Sequence, residues 1–393
     1  SSDMDLNDIE KIREEIPALK NSIYMNTGGT GPLPKTVLAE INDTFQKIGE
    51  GGPDVKAIRD PIKSRLEQTR DIIANLLNAS SNEISFTRSI SEGLSIVAYG
   101  LDWAKDDEVI VTDEEHPSSI LIWLSLAKRY GIKVRKLPLQ RSKEQYLRSL
   151  ENLINDKTKL ISLSHVTTDT GTRLPAKEIC EFAHRKNVLV GFDGAQSIGQ
   201  FEVDLKDMDC DFYAGTGHKW VLGGWGVGMF FIKKELIEAV EVSWTGNPAA
   251  SWDKDTDQIQ FQNSARRYEF GGRHVPLYNA MGRGIEFVTS LGLSEIESRV
   301  GALKKQLINN ISEIPSVKIR GPLTRDMSTG MVTFSIDGIS GFDLNQALWD
   351  RFEIMGREAL RNTSMRLCIA FFNSESEIEA VTSAIETIAR ETR

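Results

Sequence analysis

A lysine and an aspartate carry the chemistry that this 393-residue sequence offers most directly. Lys219 lies in the run Gly215-Thr216-Gly217-His218-Lys219-Trp220, after an apolar strand and before the glycine cluster at 223–228. Asp193, in Phe192-Asp193-Gly194-Ala195-Gln196, closes a second apolar strand. An amine and a carboxylate at neighbouring strand ends suit pyridoxal phosphate. The amine forms a Schiff base with the cofactor aldehyde, and the carboxylate keeps the pyridine nitrogen protonated so that the ring draws electrons. A lone lysine after a strand is ordinarily a solvated surface residue; the pairing with Asp193 singles Lys219 out.

Other residues extend the constellation. Ser89, Ile90 and Ser91 join a strand to a helix, whose free N–H groups and dipole favour an anion such as the cofactor phosphate. The plainer role for a serine there is a helix N-cap. Thr216 and His218 flank Lys219 closely enough to reach the same phosphate. His116, in Glu115-His116-Pro117, can stack on the pyridine ring or pass protons, or can be an ordinary loop histidine beside a helix start. Gln196, one helical turn beyond Asp193, and Thr168 can hydrogen-bond the ring oxygen. Arg366 opens an apolar strand near the C-terminus and suits a substrate carboxylate, which a guanidinium grips with two parallel hydrogen bonds. Arg357 and Arg361 compete for that role.

The elements that must position these residues can be read from hydrophobic periodicity. Strands are expected at 83–87, 108–112, 133–137, 159–165, 188–193, 212–214 and 227–232, with helices at 91–100, 118–130, 176–187 and 234–240. The alternation predicts a mostly parallel α/β sheet whose ligands bind at the carboxyl ends of the strands. A helix ending at Asn21 and a second between Pro34 and Gly49 precede it. Beyond about residue 280, helices at 278–291, 294–311 and 342–351, strands at 317–319, 331–336 and 365–371, and a final helix suggest a smaller α/β domain. The expected division is a large domain over 22–284 and a small one over 285–393, with the helix at 1–21 on the small domain.

The composition narrows the function. Hydrophobic residues make up 40%, ample for a large core, and a net charge of -9 disfavours a nucleic-acid surface. Cys180, Cys210 and Cys368 fit neither a disulfide framework nor a zinc pattern, and five scattered histidines make no HExxH, so no metal is expected. The polar, acidic start Ser1-Ser2-Asp3-Met4-Asp5 is unlike a signal peptide. No apolar run approaches the length of a membrane span, so a cytoplasmic protein without membrane partners is expected. The glycine cluster at 223–228 runs into the strand pattern Met229-Phe230-Phe231-Ile232 rather than a helix, and no P-loop is present. Both points count against a nucleotide-dependent protein.

In order and spacing these pieces resemble the class V aminotransferase-like group of fold-type-I PLP enzymes. That group includes cysteine desulfurases, cystine C–S lyases and isopenicillin N epimerase-like proteins. The resemblance covers nearly the whole chain. It rests on Tyr24-Met25-Asn26-Thr27-Gly28-Gly29-Thr30-Gly31, Arg88-Ser89-Ile90-Ser91-Glu92-Gly93, Glu115-His116-Pro117, Ser164-His165-Val166, Asp193-Gly194-Ala195-Gln196, Gly217-His218-Lys219, Arg267-Tyr268-Glu269-Phe270-Gly271-Gly272 and Arg366. It implies a large PLP-binding domain, with a mixed, mostly parallel sheet flanked by helices, and a smaller α/β C-terminal domain. Lys219 would be the Schiff-base lysine and proton shuttle, Asp193 the partner of the ring nitrogen, and His116 the residue stacked on the ring. Gln196 and Thr168 would face the ring oxygen; Ser89, Ile90, Ser91, Thr216 and His218 the phosphate. Arg366 and Arg357, with Gly29 and Thr30, would hold an amino-acid substrate. Such enzymes are typically homodimers with sites at the interface, where Gly272 and Arg273 would approach the partner's phosphate.

Three departures stand out. Thr168 replaces an asparagine common in relatives, and Gly272 replaces a phosphate-binding threonine. Desulfurases carry a nucleophilic cysteine on a loop between two arginines matching Arg357 and Arg366; here the intervening stretch is short and has none. Cys368 lies beyond Arg366 in an apolar strand, where a buried small residue is expected. The sequence therefore points to a C–S lyase that performs β-elimination on cystine or cysteine. Transamination and epimerisation use the same carbanion and are the alternatives, together with a non-catalytic binding protein on a degenerate PLP fold.

Overall fold

The computed structural model describes residues 5–392; the acidic start at 1–4 lies outside the described residues. At its centre is a seven-stranded sheet in the order Ile84–Thr87, Gly228–Ile232, Phe212–Thr216, Leu189–Asp193, Thr158–Ser164, Glu108–Thr112, Lys133–Leu137. Neighbours are parallel except for Gly228–Ile232, which runs antiparallel to both of its partners. Helices cover both faces, which is why the central strands read as continuous apolar runs. In Glu108–Thr112, Val109 and Val111 join the core beneath helices Ile90–Gly100 and Pro117–Tyr130, while Ile110 joins the core on the opposite face.

A second, four-stranded antiparallel sheet runs Val317–Ile319, Met331–Ile336, Ser364–Cys368, Arg357–Ala359. Helices Leu293–Ser312 and Gly341–Phe352 pack on it, and Glu375–Glu391 packs against those two helices. The start of the chain is sewn into this part. Ile23–Tyr24 pairs in parallel with Ile354–Met355, and Asn26 bridges to Cys368. Arg13 donates to the Phe372 carbonyl and to Glu377, both at 2.8 Å. The opening segment is thus tied to this part by a separate two-stranded pairing and a single bridge.

Several elements differ from the expectation. A 21-residue helix, Lys56–Leu76, had no counterpart in the periodicity reading, nor had the helix Lys143–Leu153 or the hairpin of Ala250–Asp253 with Gln258–Phe261. The helix expected at 234–240 shrinks to the 3-10 turn Lys234–Leu236. The first helix stops at Glu14 and resumes as the 3-10 turn Pro17–Lys20, because a proline ring cannot continue an α-helix. Helix Val275–Ser290 runs across 284–285 and packs on the helices Lys35–Gly51 and Lys56–Leu76; the break follows at Gly292, in the left-handed region at φ 78°.

The missed helix has a structural duty. Arg70, 1% exposed, donates through Nη1 to Glu269 and to the Ile84 carbonyl at 2.9 Å, and through Nη2 to the other Glu269 oxygen at 3.2 Å. Glu269 also accepts the Phe86 N–H at 2.9 Å. One buried pair therefore joins the helix, the edge strand and the turn that leads into Phe270–Arg273. Glu269→Ala would leave Arg70 buried with only the half-exposed Glu67 as a carboxylate partner, at 3.2 Å, and the Phe86 N–H without its acceptor, so it should lower unfolding free energy by about 2–4 kcal/mol. Denaturant titration checks this, and a loss within about 0.5 kcal/mol, typical of a surface site, would contradict it.

Candidate active site

The carboxyl ends of the parallel strands meet the second sheet, where Arg366 donates to the Thr168 carbonyl; we refer to this junction as the crevice. Asp193 closes its strand, and both carboxylate oxygens have donors: the Ser119 hydroxyl on one and the Ala195 N–H at 2.8 Å on the other. Ser119 lies on helix Pro117–Tyr130, whose N-cap is His116. His116 Nδ1 accepts the Ser118 N–H at 3.1 Å, which leaves Nε2 as the protonated nitrogen. Burial and the Lys219 charge push the imidazole's pKa below its usual value, so the ring is held neutral. Glu115 accepts from the N–H and hydroxyl of both Thr112 and Ser164, latching two neighbouring strand ends just ahead of His116. Its burial pushes its carboxyl pKa up.

Lys219 follows the strand Phe212–Thr216 and, among the described residues, makes no side-chain hydrogen bond or ion pair. Burial pushes its amine down to about 8; Asp193 pulls it back up, while Arg366 and Arg357 press it lower. Thr216 Oγ1 and His218 Nδ1 share a hydrogen bond at 2.8 Å. Burial, Lys219 and His116 push His218 down to about 4, so it too is neutral. The turn is closed from outside by the glycine segment at 26–31. Gly31 donates to the His218 carbonyl at 2.7 Å, and a Cβ on Gly31 would lie 2.2 Å from the Lys219 carbonyl oxygen. Only glycine fits there. Gly29 and Thr30 turn their N–H groups inward to the Asn26 carbonyl, at 2.8 and 3.0 Å.

Arg366 enters from the second sheet and is fully buried. Nη1 donates to the Thr168 carbonyl at 2.6 Å and Nη2 to Asn26 Oδ1 at 3.3 Å, whereas Nε has no partner. Arg357 is its cross-strand neighbour and makes no side-chain hydrogen bond or ion pair among the described residues. Burial, then Arg366, lowers its pKa. Gln196 donates to the Gly28 carbonyl and accepts from Trp220 Nε1, both at 2.8 Å. Its amide thereby anchors the glycine segment. Cys368 abuts the same spot: a Cβ on Gly28 would lie 2.8 Å from Gln196 Oε1 and 2.9 Å from Cys368 Sγ.

These features fit pyridoxal phosphate. A carboxylate oriented by two donors waits at Asp193, a free amine at Lys219, and a buried hydroxyl without a partner at Thr168. Such an unpaired buried hydroxyl is costly unless something else pairs with it. Ser89 is the N-cap of helix Ile90–Gly100, its oxygen accepting the Glu92 N–H at 3.3 Å, while Ser91 is exposed on the first turn and Ile90 is buried. Gly272 is exposed with open space around it. Arg273 does not reach outward as the resemblance implied. Its guanidinium is committed to the Phe86 carbonyl at 2.8 Å and the Tyr268 carbonyl at 3.4 Å, since a largely buried cation must find acceptors.

Sequence reasoning passed over Ser119, Glu115 and Asn26 as site residues, because their partners lie 74, 49 and 340 positions away. His165, at a strand end, points away from the crevice: its Nδ1 meets the Tyr213 hydroxyl at 2.7 Å, and burial pushes it down to about 3.

The depressed amine has a direct consequence. Acylation of Lys219 in the cofactor-free protein should rise with pH around a midpoint of about 8, as the neutral amine appears. Peptide mass spectrometry reads this, and a midpoint at the ordinary lysine value of 10.5 would refute it.

Known proteins resemble this chain in sequence and in fold. The "Probable cysteine desulfurase" of Methanothermobacter thermautotrophicus is 27% identical, covering 97% of this chain and 98% of its own. An isopenicillin N epimerase of Streptomyces clavuligerus is 27% identical, covering 94% of this chain and 95% of its own. Among solved structures, a C-DES variant with glycine covalently linked to its PLP cofactor superposes with a TM-score of 0.90 at 28% identity, covering 95% of this chain and 98% of that one. A complex of the cystine C–S lyase C-DES with its reaction product, cysteine persulfide, gives 0.89 at 28% identity over 94% and 99%. The family model for class V aminotransferases matches residues 23–381, from the strand beside the glycine segment to the last helix. That span takes in every residue of the crevice, and the chain belongs to the class V aminotransferase family.

Proposed function

We propose that this chain is a PLP-dependent C–S lyase that performs β-elimination on L-cystine or L-cysteine. Pyridoxal phosphate, when bound, supplies a protonated ring that draws electrons from the bonds at the substrate Cα. The Asp193 carboxylate, held by Ser119 and Ala195, keeps the ring nitrogen protonated. Lys219 would hold the cofactor through its amine, and as a free amine near 8 it would serve as the base for the substrate Cα proton. His116 would lie against the cofactor ring, and the unpaired Thr168 hydroxyl would be available to the ring oxygen. Arg366 and the free guanidinium of Arg357 draw the substrate carboxylate, and in a diacid such as cystine two cations are available for two carboxylates. The Cα–H electron pair would then form the Cα–Cβ double bond as the Cβ–S bond breaks. Sulfur would leave with that bond's pair, as cysteine persulfide from cystine or sulfide from cysteine, and hydrolysis of the enamine would give pyruvate and ammonia.

The observation that carries elimination over desulfuration concerns thiols. Residues 357–366 form a short hairpin without cysteine, its turn made of Leu360, Arg361 and Asn362, all with positive φ. All three cysteines are buried, and burial pushes Cys180 and Cys210 well above the usual thiol pKa. Elimination needs no protein thiol. A homodimer with sites at the interface is part of this reading, supported by the exposed Trp244, Trp252 and Ile259 on and beside the 250–261 hairpin. A cytoplasmic setting is part of it too; no described helix is long and apolar enough to cross a membrane.

A second reading, epimerisation or transamination, is favoured by the likeness to the Streptomyces clavuligerus epimerase. Product analysis separates the two. Incubation of PLP-loaded protein with L-cystine, and separately with L-cysteine, should yield pyruvate and released sulfur. Alanine would indicate desulfuration, and a D-amino acid or a keto acid with an intact side chain would support the second reading. Lys219→Ala should lower kcat by about a hundred- to ten-thousand-fold. Arg366→Ala should raise KM roughly ten- to a hundred-fold for substrates with an α-carboxylate, and hardly at all for amines without one.

A further inference from the structure

Glu114 is a half-buried carboxylate that takes no part in the mechanism above. It lies in the turn after strand Glu108–Thr112, two residues before His116. One oxygen accepts the N–H groups of both Asp169, at 2.8 Å, and Thr170; the other accepts the Thr170 hydroxyl at 2.9 Å. That peptide segment faces two ways. Its N–H groups meet Glu114, and its carbonyls turn toward the second sheet. The Thr168 carbonyl accepts from Arg366, the Asp169 carbonyl from the Thr333 hydroxyl, and the Asp169 side chain from the Leu360 N–H at 3.0 Å.

We propose that Glu114 is a positioning residue for recognition of the substrate carboxylate, acting on Arg366 through the 168–170 turn. The inference rests on the proposed function, since it concerns the carboxylate that Arg366 is taken to bind. Ionised Glu114 fixes the plane of the Asp169 and Thr170 peptides. The Thr168 carbonyl is then held against Nη1, which fixes the guanidinium with its buried Nε still without an acceptor. A protonated carboxyl turns one acceptor into a donor that faces donors, and the turn loses its clamp. Burial, with Asp169 adding to it, raises the Glu114 carboxyl to about 7, whereas the hydrogen bonds from Thr170 and Asp169 oppose the rise. The other groups near it are Asp113 in its own turn and Tyr146 on helix Lys143–Leu153, neither of which supplies a cation. Substrate affinity should therefore fall as pH drops through about 7.

The test is Glu114→Gln in the PLP-loaded enzyme, with KM and kcat followed between pH 6 and 8. Wild-type KM for an α-carboxylate substrate should rise as the pH falls, while the variant's KM should be roughly ten-fold higher throughout and flat across that range, with kcat nearly unchanged. Backbone amide exchange at Asp169 and Thr170 gives a second readout that needs no turnover. Corrected for intrinsic rates, protection in the wild type should fall below pH 7, and in the variant it should be low at both pH values. A variant with wild-type KM and wild-type pH dependence overturns the proposal. So does wild-type exchange that is insensitive to pH, which also decides the matter if the variant fails to fold. If no substrate turns over in any form, the proposed function fails, yet exchange still tests the clamp.

Discussion

The crevice gathers like charge. Lys219, Arg357 and Arg366 lie close enough for each arginine to press down the lysine's affinity for protons, and Arg366 presses on Arg357 as well. Asp193 is the counter-charge felt by Lys219 and His116. This local surplus of positive charge sits in a chain whose overall charge is -9. In a site screened from water, such repulsion is far stronger than at the surface. Burial, reinforced by this repulsion, leaves a neutral imidazole at His116 and at His218 and a depressed amine at Lys219. An amino-acid carboxylate and a phosphate are the two anions the family's chemistry brings.

Holding those cations in place requires a rigid surround. Asp193 and Lys219 stand at the ends of adjacent parallel strands, Leu189–Asp193 and Phe212–Thr216, whose register is set by the buried sheet. The loops are pinned by buried or half-buried polar side chains rather than by apolar packing. Glu115 latches two strand ends, Gln196 and Asn26 hold the glycine segment, and Glu114 clamps the threonine-rich turn. Each tie satisfies backbone or hydroxyl groups that would otherwise be buried without partners.

How much of this was legible in the sequence depends on the reach of each interaction. The strands with runs such as Val109-Ile110-Val111 were read correctly because burial on both faces leaves a local signature. Asp193 and Lys219 stood out because strand ends flanked by glycine are visible in a few residues. The helix Lys56–Leu76 escaped notice, although Ile58, Ile62, Leu66 and Ile73 carry its spacing, because Pro61 and abundant charge mask the stripe. The hairpin at 250–261 is mostly exposed, so its strands lack the alternation that burial imposes. The clamp on Asp169 and Thr170 involves residues 55 and 56 positions from Glu114, and nothing local in Asp113-Glu114-Glu115 reveals which glutamate faces which loop. Gln196 read as a ligand for the ring oxygen, whereas its amide is engaged by Gly28 and Trp220.

The opening segment docks beside the second sheet: Ile23–Tyr24 pairs with Ile354–Met355 in a two-stranded sheet of their own, and Asn26 bridges to Cys368. A chain emerging from the ribosome therefore delivers the whole central sheet, with Asp193 and Lys219, more than a hundred residues before Arg366 appears. Until then the opening segment has no strand to pair with, and Asn26 no guanidinium to accept from. The strand ends that carry Asp193 and Lys219 come first, and the buried guanidinium of Arg366 comes last. Such long-range closure is slow, because loop entropy must be overcome before the contacts form.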